Sequence, residues 1–213
     1  MKRDLHSYRD SYEKGELLLD NTAVSPFEQF SKWFQETEAE GSTKEPNAMT
    51  LATLGKDSFP KARIVLLKAF SQEGFVFYTN YESEKGQSIA NHPQVGLSFF
   101  WPALERQVII KGSISKLDAA QSDTYFNSRP RESQLGALVS NQSEVTTRET
   151  LENTMASLKA KYASGDIPRP KHWGGYVVAP VSVEFWQGRP NRLHDRICYE
   201  LQEGKWIKNR LAP

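Results

Sequence analysis

The sequence has a single cysteine, Cys198, so no disulfide can form within the chain, and a reducing compartment such as the cytosol is expected. Four scattered histidines and one cysteine show no zinc-site spacing. Charge of either sign is not in surplus: 27 Lys and Arg against 26 Asp and Glu leave +1, which lends no support to a nucleic-acid-binding surface. No apolar run is long enough to span a bilayer, and the opening MKRDLHSYRDSYEKGELL lacks the apolar core of a signal peptide. A cytoplasmic protein with neither nucleic acid nor membrane as partner is therefore expected. The common phosphate loops, G-x-x-x-x-G-K-[ST] and G-x-G-x-x-G, are missing, as is a G-x-S-x-G nucleophile elbow. No spacing of Ser, His and Asp favours a triad.

What remains is an ordinary globular composition, 38% hydrophobic and 25% charged over 213 residues, which suits one domain (1–213). Residues 1–21 are polar, with Tyr8 and Tyr12 four apart, and read as a flexible arm or short surface helix. Ser25, Pro26 and Gly41 frame a helix over Pro26–Glu40, with Phe27, Phe30 and Phe34 as core anchors. The period then becomes strand-like. Strands are expected at Met49–Leu54, Arg63–Phe70, Phe75–Thr79, Val95–Trp101 and Arg106–Leu117, with a short helix over Ser83–Asn91. Helices follow at Asp118–Ser128, Arg131–Val139 and Glu144–Tyr162. Strands resume at Tyr176–Trp186, Ile197–Leu201 and Trp206–Leu211, the last two joined at Glu203-Gly204 as a hairpin. The expected architecture is mainly β with helices (α+β), a β-barrel with helices over its mouth and sides.

Cationic and hydroxyl side chains recur where strands end. Arg63 and Lys68 bracket the apolar run Ile64, Val65, Leu66 and Leu67; five apart, they leave opposite faces of a regular strand. Charges guarding a strand's ends are the plainer reading. Tyr78 and Thr79 end a strand and Lys85 begins a helix, a combination able to hold a phosphate. Tyr125, Arg129 and Ser133, spaced by four, suit a second phosphate clamp or a helix-terminal cap network. Gln107, Gln142 and Ser143 add groups able to read a heterocycle edge. Trp186 either covers a flat ring or fills the core. In EFWQGRPNRLHDR (Glu184–Arg196), an extended chain would send Arg192, His194 and Arg196 from one face, about 6.5–7 Å apart. That face suits an anionic or electron-rich partner, or else is a solvated, salt-bridged strand end.

Together these segments resemble the pyridoxine (pyridoxamine) 5′-phosphate oxidase family, from about Tyr8 to Pro213. The residues that carry the resemblance are RIVLLK (Arg63–Lys68), FYTNYESEK (Phe77–Lys85), LERQV (Leu104–Val108), YFNSRPRESQLGALVSNQS (Tyr125–Ser143), HWGG (His172–Gly175), EFWQG (Glu184–Gly188), RLHDR (Arg192–Arg196) and the terminal RLAP. The resemblance implies an FMN-binding split β-barrel and a homodimer with FMN at the subunit interface. It implies oxidation of pyridoxine 5′-phosphate or pyridoxamine 5′-phosphate at C4′ to pyridoxal 5′-phosphate, in vitamin B6 biosynthesis and salvage, with O2 reduced to H2O2. It assigns FMN to Arg63, Ile64, Val65, Leu66, Leu67, Lys68, Tyr78, Thr79, Lys85, Gln107, Gln142, Ser143, Trp186 and Arg196. It assigns substrate to Arg9, Tyr12, Lys68, Tyr125, Arg129, Ser133, Arg192, Leu193 and His194, with Arg192 and His194 as the catalytic pair over the pyridine ring.

This chain departs from the family pattern at Glu84, where an arginine is usual, and Glu84 is expected to point away from the FMN phosphate. It also departs in the arm, at Asp10, Ser11, Leu17 and Leu18. Two other readings stand beside the oxidase. One is a split-barrel flavin reductase with another substrate. The other is a non-catalytic carrier of FMN or pyridoxal phosphate, which needs the phosphate clamps but no hydride transfer.

Overall fold

The structure, a computed structural model, describes residues 3–7 and 10–213. Helix α1 (Pro26–Glu40) forms where the sequence supplies both its ends. Ser25 Oγ accepts the Phe27 N–H at 3.2 Å, Pro26 sits in the first turn, and Gly41 closes the helix at φ 78°. Its buried face carries Phe27, Phe30 and Trp33, an apolar stripe at helical spacing.

Among the described residues nine strands follow: β1 (Ala48–Leu54), β2 (Pro60–Leu66), β3 (Ala69–Ser71), β4 (Gly74–Asn80), β5 (Gln94–Trp101), β6 (Arg106–Lys116), β7 (Trp173–Gln187), β8 (Asp195–Gln202) and β9 (Lys205–Leu211). They pair in the order β2-β1-β5-β6-β7-β4-β3, with β8 on β7 and β9 on β8. The remaining helices are α2 (Glu84–Asn91), α3 (Ala119–Ser128), α4 (Arg131–Val139) and α5 (Arg148–Lys161). The mainly β, α+β class expected from the sequence is the one observed. No helix among the described residues is long and apolar enough to cross a membrane.

The chain divides into two compact units, the first made of Met1–Met49, Leu97–Lys111 and Pro180–Pro213, the second of Thr50–Gly96 and Gly112–Ala179. In the first unit, Phe30 meets Phe99 (centroids 5.0 Å) and Trp33 stands edge-on to Phe185 at 5.2 Å. Phe185 in turn meets Tyr199 at 5.7 Å. Such ring pairs add roughly 0.5–1.5 kcal/mol each beyond the area they bury. Tyr199 and Trp101 keep their polar tips satisfied on Ala23 and Pro46 carbonyls (2.7 and 3.0 Å). The end of β7 pairs with β8 in the register Trp186↔Arg196 and Gln187↔Asp195.

In the second unit, β4 pairs antiparallel with the start of β7, Tyr78 opposite Gly175 and Thr79 opposite Gly174. A core of Phe126, Leu135, Ala137, Ile167 and Trp173 lies under α3 and α4. Asp118 caps α3 by accepting the Gln121 N–H at 2.6 Å.

Three expectations need correction. Arg63–Phe70 is two strands rather than one: β2 stops at Leu66, Leu67 turns into the core, and Lys68 donates its N–H to the Val76 carbonyl (2.8 Å) before β3 begins. The helix expected over Glu144–Tyr162 starts only at Arg148, because Thr147 caps it by accepting the Thr150 N–H (3.1 Å). The segment before Asp195 is not extended: Pro190–Arg192 is a 3-10 turn in which Asn191 and Arg192 both take positive φ, 57° and 62°.

Candidate active site

The second unit gathers most of the cationic and hydroxyl groups singled out in the sequence. A cavity of about 460 Å³ is lined by Ile64, Val65, Leu66, Lys68, Tyr78, Thr79, Lys85, Tyr125, Arg129, Pro130, Ser133, Gln142 and Trp173. A second, of about 330 Å³, shares Tyr78, Thr79, Arg129, Ser133, Gln142 and Trp173 with it.

At one part of this region the N-terminus of α2 presents Lys85. Ser83 caps the helix, and its hydroxyl also accepts from Lys85 Nζ at 3.1 Å; Gln142 Oε1 accepts from the same nitrogen at 2.8 Å. Lys85 is buried, and burial, followed by repulsion from Arg63, lowers its pKa to about 8. Arg63 is likewise lowered by burial and donates to neutral partners, Thr53 Oγ1 at 2.7 Å and the Leu51 carbonyl at 3.1 Å. Ser143, at φ 81°, accepts the Glu84 N–H at 3.2 Å. The Glu84 carboxylate pairs with Lys61 at 2.5 Å, half exposed, while its charge still raises Arg63 and Lys85.

The other part is built on an aromatic stack. Tyr78 lies parallel to Tyr125 (centroids 3.8 Å) and to Trp173 (5.6 Å), and the Arg129 guanidinium covers the Trp173 ring at 4.5 Å. Burial lowers the Arg129 pKa, and one of its terminal nitrogens is buried with no hydrogen-bond partner among the described residues. A buried unpaired donor on a cation costs free energy unless an acceptor arrives. Although α3 ends at Ser128 and α4 begins at Arg131, Tyr125, Arg129 and Ser133 still line one cavity.

The first unit holds the other predicted residues. Trp186, half-buried, contacts His194 (centroids 4.7 Å), and Tyr12 stands edge-on to both at 5.7 Å. Tyr12, Arg192 and His194 line an open groove of about 690 Å³ together with Asp10, Ser11, Arg189 and Asn191. His194 Nδ1 accepts the Arg189 N–H at 3.1 Å, which leaves the proton of a neutral ring on Nε2. Leu193 is exposed beside this groove. Gln107 donates to Ser98 Oγ at 3.1 Å. Arg196 is held in a bidentate pair by Glu184 (2.7 and 3.1 Å) and donates to the Ala212 carbonyl at 2.8 Å. Arg9 and Tyr8 lie outside the described residues. Trp173 was not singled out as a site residue, though it sits inside the quoted HWGG; its role as the wall under Arg129 depends on contacts far apart in sequence.

A family model described as pyridoxamine 5′-phosphate oxidase matches residues 35–162, and one described as the pyridoxine 5′-phosphate oxidase C-terminal dimerisation region matches 173–213. A relative named pyridoxine/pyridoxamine 5′-phosphate oxidase, from Flavobacterium psychrophilum, is 57% identical over 213 residues, covering 99% of this chain and 100% of its own. One of the same name from Synechocystis is 50% identical over 210 residues, 98% of each chain. Among solved structures, PhzG from Burkholderia lata 383, in complex with tetrahydrophenazine-1-carboxylic acid, superposes with TM-score 0.87 at 26% identity, over 94% of this chain and 100% of that one. A pyridoxamine 5′-phosphate oxidase-related, FMN-binding protein from Nostoc punctiforme shares the fold at TM-score 0.71 and 16% identity, over 90% and 99%. The fold is the split β-barrel of such proteins, and the chain belongs to the pyridoxamine 5′-phosphate oxidase family.

Proposed function

We infer that this protein is the FMN-dependent oxidase that converts pyridoxine 5′-phosphate and pyridoxamine 5′-phosphate to pyridoxal 5′-phosphate. The observation that carries the reading is a pair of cationic centres, Lys85 with Arg63 and Arg129, that hold no carboxylate in hydrogen-bond contact among the described residues and so favour two phosphates. The residues present fit the cofactor. Lys85 and Arg63 repel each other until an anion arrives, α2 offers its N-terminus, and Gln142 and Ser143 stand beside it. When bound, FMN supplies the hydride acceptor for the substrate's C4′ carbon, and its reoxidation by O2 yields H2O2.

The chain's own part is binding and orientation. Arg129, Ser133, Tyr125 and Lys68 take the substrate phosphate, while Arg63, Lys85 and Ser143 take that of FMN. The Ile64–Leu67 run and Gln107 read the isoalloxazine, with Tyr78, Thr79, Trp186 and Arg196 completing the cofactor's surroundings. Arg192, Leu193 and His194, with Tyr12 and Arg9, cover the substrate ring, and the Arg192 cation favours an electron-rich pyridine during transfer. With Nδ1 engaged by the Arg189 N–H, His194 acts through Nε2 as a hydrogen-bond donor that positions the C4′ substituent rather than as a base. The protein works in the cytoplasm as a homodimer with FMN at the subunit interface, each chain acting as a single domain; support for the dimer comes from the match of residues 173–213 to the family's dimerisation region.

The test is an anaerobic absorbance titration of the FMN-loaded protein with each substrate. Bleaching of the oxidised-flavin band, reversed by air, is the expected result. Retained flavin with an unchanged band would leave the fold in place and favour the carrier or the reductase. Flavin reduction by His194→Ala at an unchanged single-turnover rate, with only KM raised, is expected for a positioning histidine.

A further inference from the structure

A buried carboxylate next to the turn that carries Arg192 and His194 ties the N-terminal arm there, beside the bond from the Lys14 N–H to Glu105 at 2.9 Å. Asp195, the first residue of β8, has a side chain only 10% exposed. Its Oδ2 accepts the Leu17 N–H at 2.9 Å, and its Oδ1 accepts from Arg210 at 2.6 Å. Arg210 also donates to the Leu17 carbonyl at 2.8 Å, so both polar groups of one arm residue are closed onto one ion pair. Arg189 completes the clamp, 3.7 Å from Asp195 Oδ2, by donating to the Gly15 carbonyl at 3.0 Å. Leu17 itself is buried. The consequence falls on Tyr12, whose ring lies against Trp186 and His194. Gly188 permits that approach: a Cβ there would stand 2.8 Å from Tyr12 Cβ and Cγ.

We propose that Asp195 is a positioning residue for substrate binding, which acts through the arm by holding residues 15–17 so that Tyr12 stays across Trp186 and His194. The side chain need touch neither substrate nor cofactor. The hydrogen bonds that this buried carboxylate accepts from Arg210 and from the Leu17 amide, with the Arg189 cation 3.7 Å away, hold the segment in place. This rests on the reading that Tyr12 belongs to the substrate site, and the experiment separates the two.

Asp195→Asn, Tyr12→Ala and the double variant are compared for KM, kcat, FMN affinity and amide hydrogen exchange of residues 14–18. Asp195→Asn is expected to accelerate exchange at Leu17 and to raise KM for pyridoxamine 5′-phosphate about tenfold, within the range for residues of one hydrogen-bonded network. It should leave FMN affinity and kcat within about twofold. In the Tyr12→Ala background it should add nothing to KM, because its effect passes through that ring. A carboxylate that merely supports the fold would add its effect in both backgrounds, and that outcome overturns the proposal. So does slow exchange at Leu17 in Asp195→Asn. An unchanged KM in Tyr12→Ala would instead overturn the placing of Tyr12 in the substrate site, and this proposal with it. If Asp195→Asn does not fold, Arg210→Met loosens the same clamp from β9, and Gly188→Ala displaces Tyr12 with the clamp intact. A KM raised by Gly188→Ala and by Arg210→Met, with FMN affinity unchanged, supports the proposal; normal KM values in both overturn it.

Discussion

The cations singled out in the two compact units are partnered differently. In the first, arginines near the candidate site are matched by carboxylates, Arg196 by Glu184 and Arg210 and Arg189 by Asp195. In the second, Arg63 and Lys85 rest on neutral oxygens, and Arg129 keeps a buried nitrogen unpaired among the described residues. Arg169, in that same unit but outside the larger cavity's lining, is paired with Asp123 at 2.6 Å. Matched pairs hold strands and the arm in place; in the function proposed above, the unmatched cations take a ligand's charge. Arg196, bonded to Glu184 and to the Ala212 carbonyl, therefore carries a compensated rather than a free positive charge. Arg192 stands apart in the first unit, exposed and without an ion pair among the described residues.

Breaking the unmatched side should have the largest effect. Arg129→Met is expected to lower kcat/KM for either phosphorylated substrate by about a hundredfold, the loss of charge-assisted hydrogen bonds worth ~1.5–3 kcal/mol each, with FMN affinity unchanged. Steady-state kinetics and a flavin titration check both halves. A fall in FMN affinity of the same size would merge the two phosphate centres into one.

Lys85 offers a pH handle. Its pKa in the free protein is lowered to about 8, and a bound phosphate pulls it back up. Binding therefore takes up a proton above pH 8, and FMN affinity should fall as pH rises through that value, by up to about thirtyfold at pH 9.5 relative to pH 7. Lys85→Arg, which stays charged, should flatten the profile; a slope that survives the substitution would assign it to another group.

On the matched side, Glu184→Gln leaves the Arg196 charge uncompensated. A loss of about 1–2 kcal/mol in unfolding free energy is expected by denaturant titration. An unchanged midpoint would mean that the Arg196–Ala212 contact alone holds the strand end. The smallest effect belongs to Glu84, whose partner Lys61 is exposed. Glu84→Arg should tighten FMN by about two- to fivefold, and added salt should shrink the gain.

Much of this was legible in the chain itself. Ser25, Pro26 and Gly41 are local signals, and α1 runs between them as expected. Glu203-Gly204 turns β8 into β9, with both residues at positive φ, 49° and 78°. Local periodicity failed where a corner interrupts an apolar run. In Arg63–Phe70 the inward turn of Leu67 is set by what it packs against, not by its neighbours in sequence. It failed again at Arg192, where alternation implied one extended face and the backbone instead takes two consecutive left-handed residues.

The sequence by itself determined the elements, their caps and the residue types able to hold phosphates, because propensity, capping and chemical identity are properties of short segments. Only the tertiary structure decided which cations are neutralised. Glu184 lies twelve positions from Arg196, and Leu17 lies 178 from Asp195, yet each pair is in hydrogen-bond contact. Arg129 has Trp173 beneath it and no paired carboxylate among the described residues. Whether a guanidinium is a strut or a ligand site depends on its counter-charge, and that counter-charge is placed by strand pairing and packing rather than by the neighbouring residues.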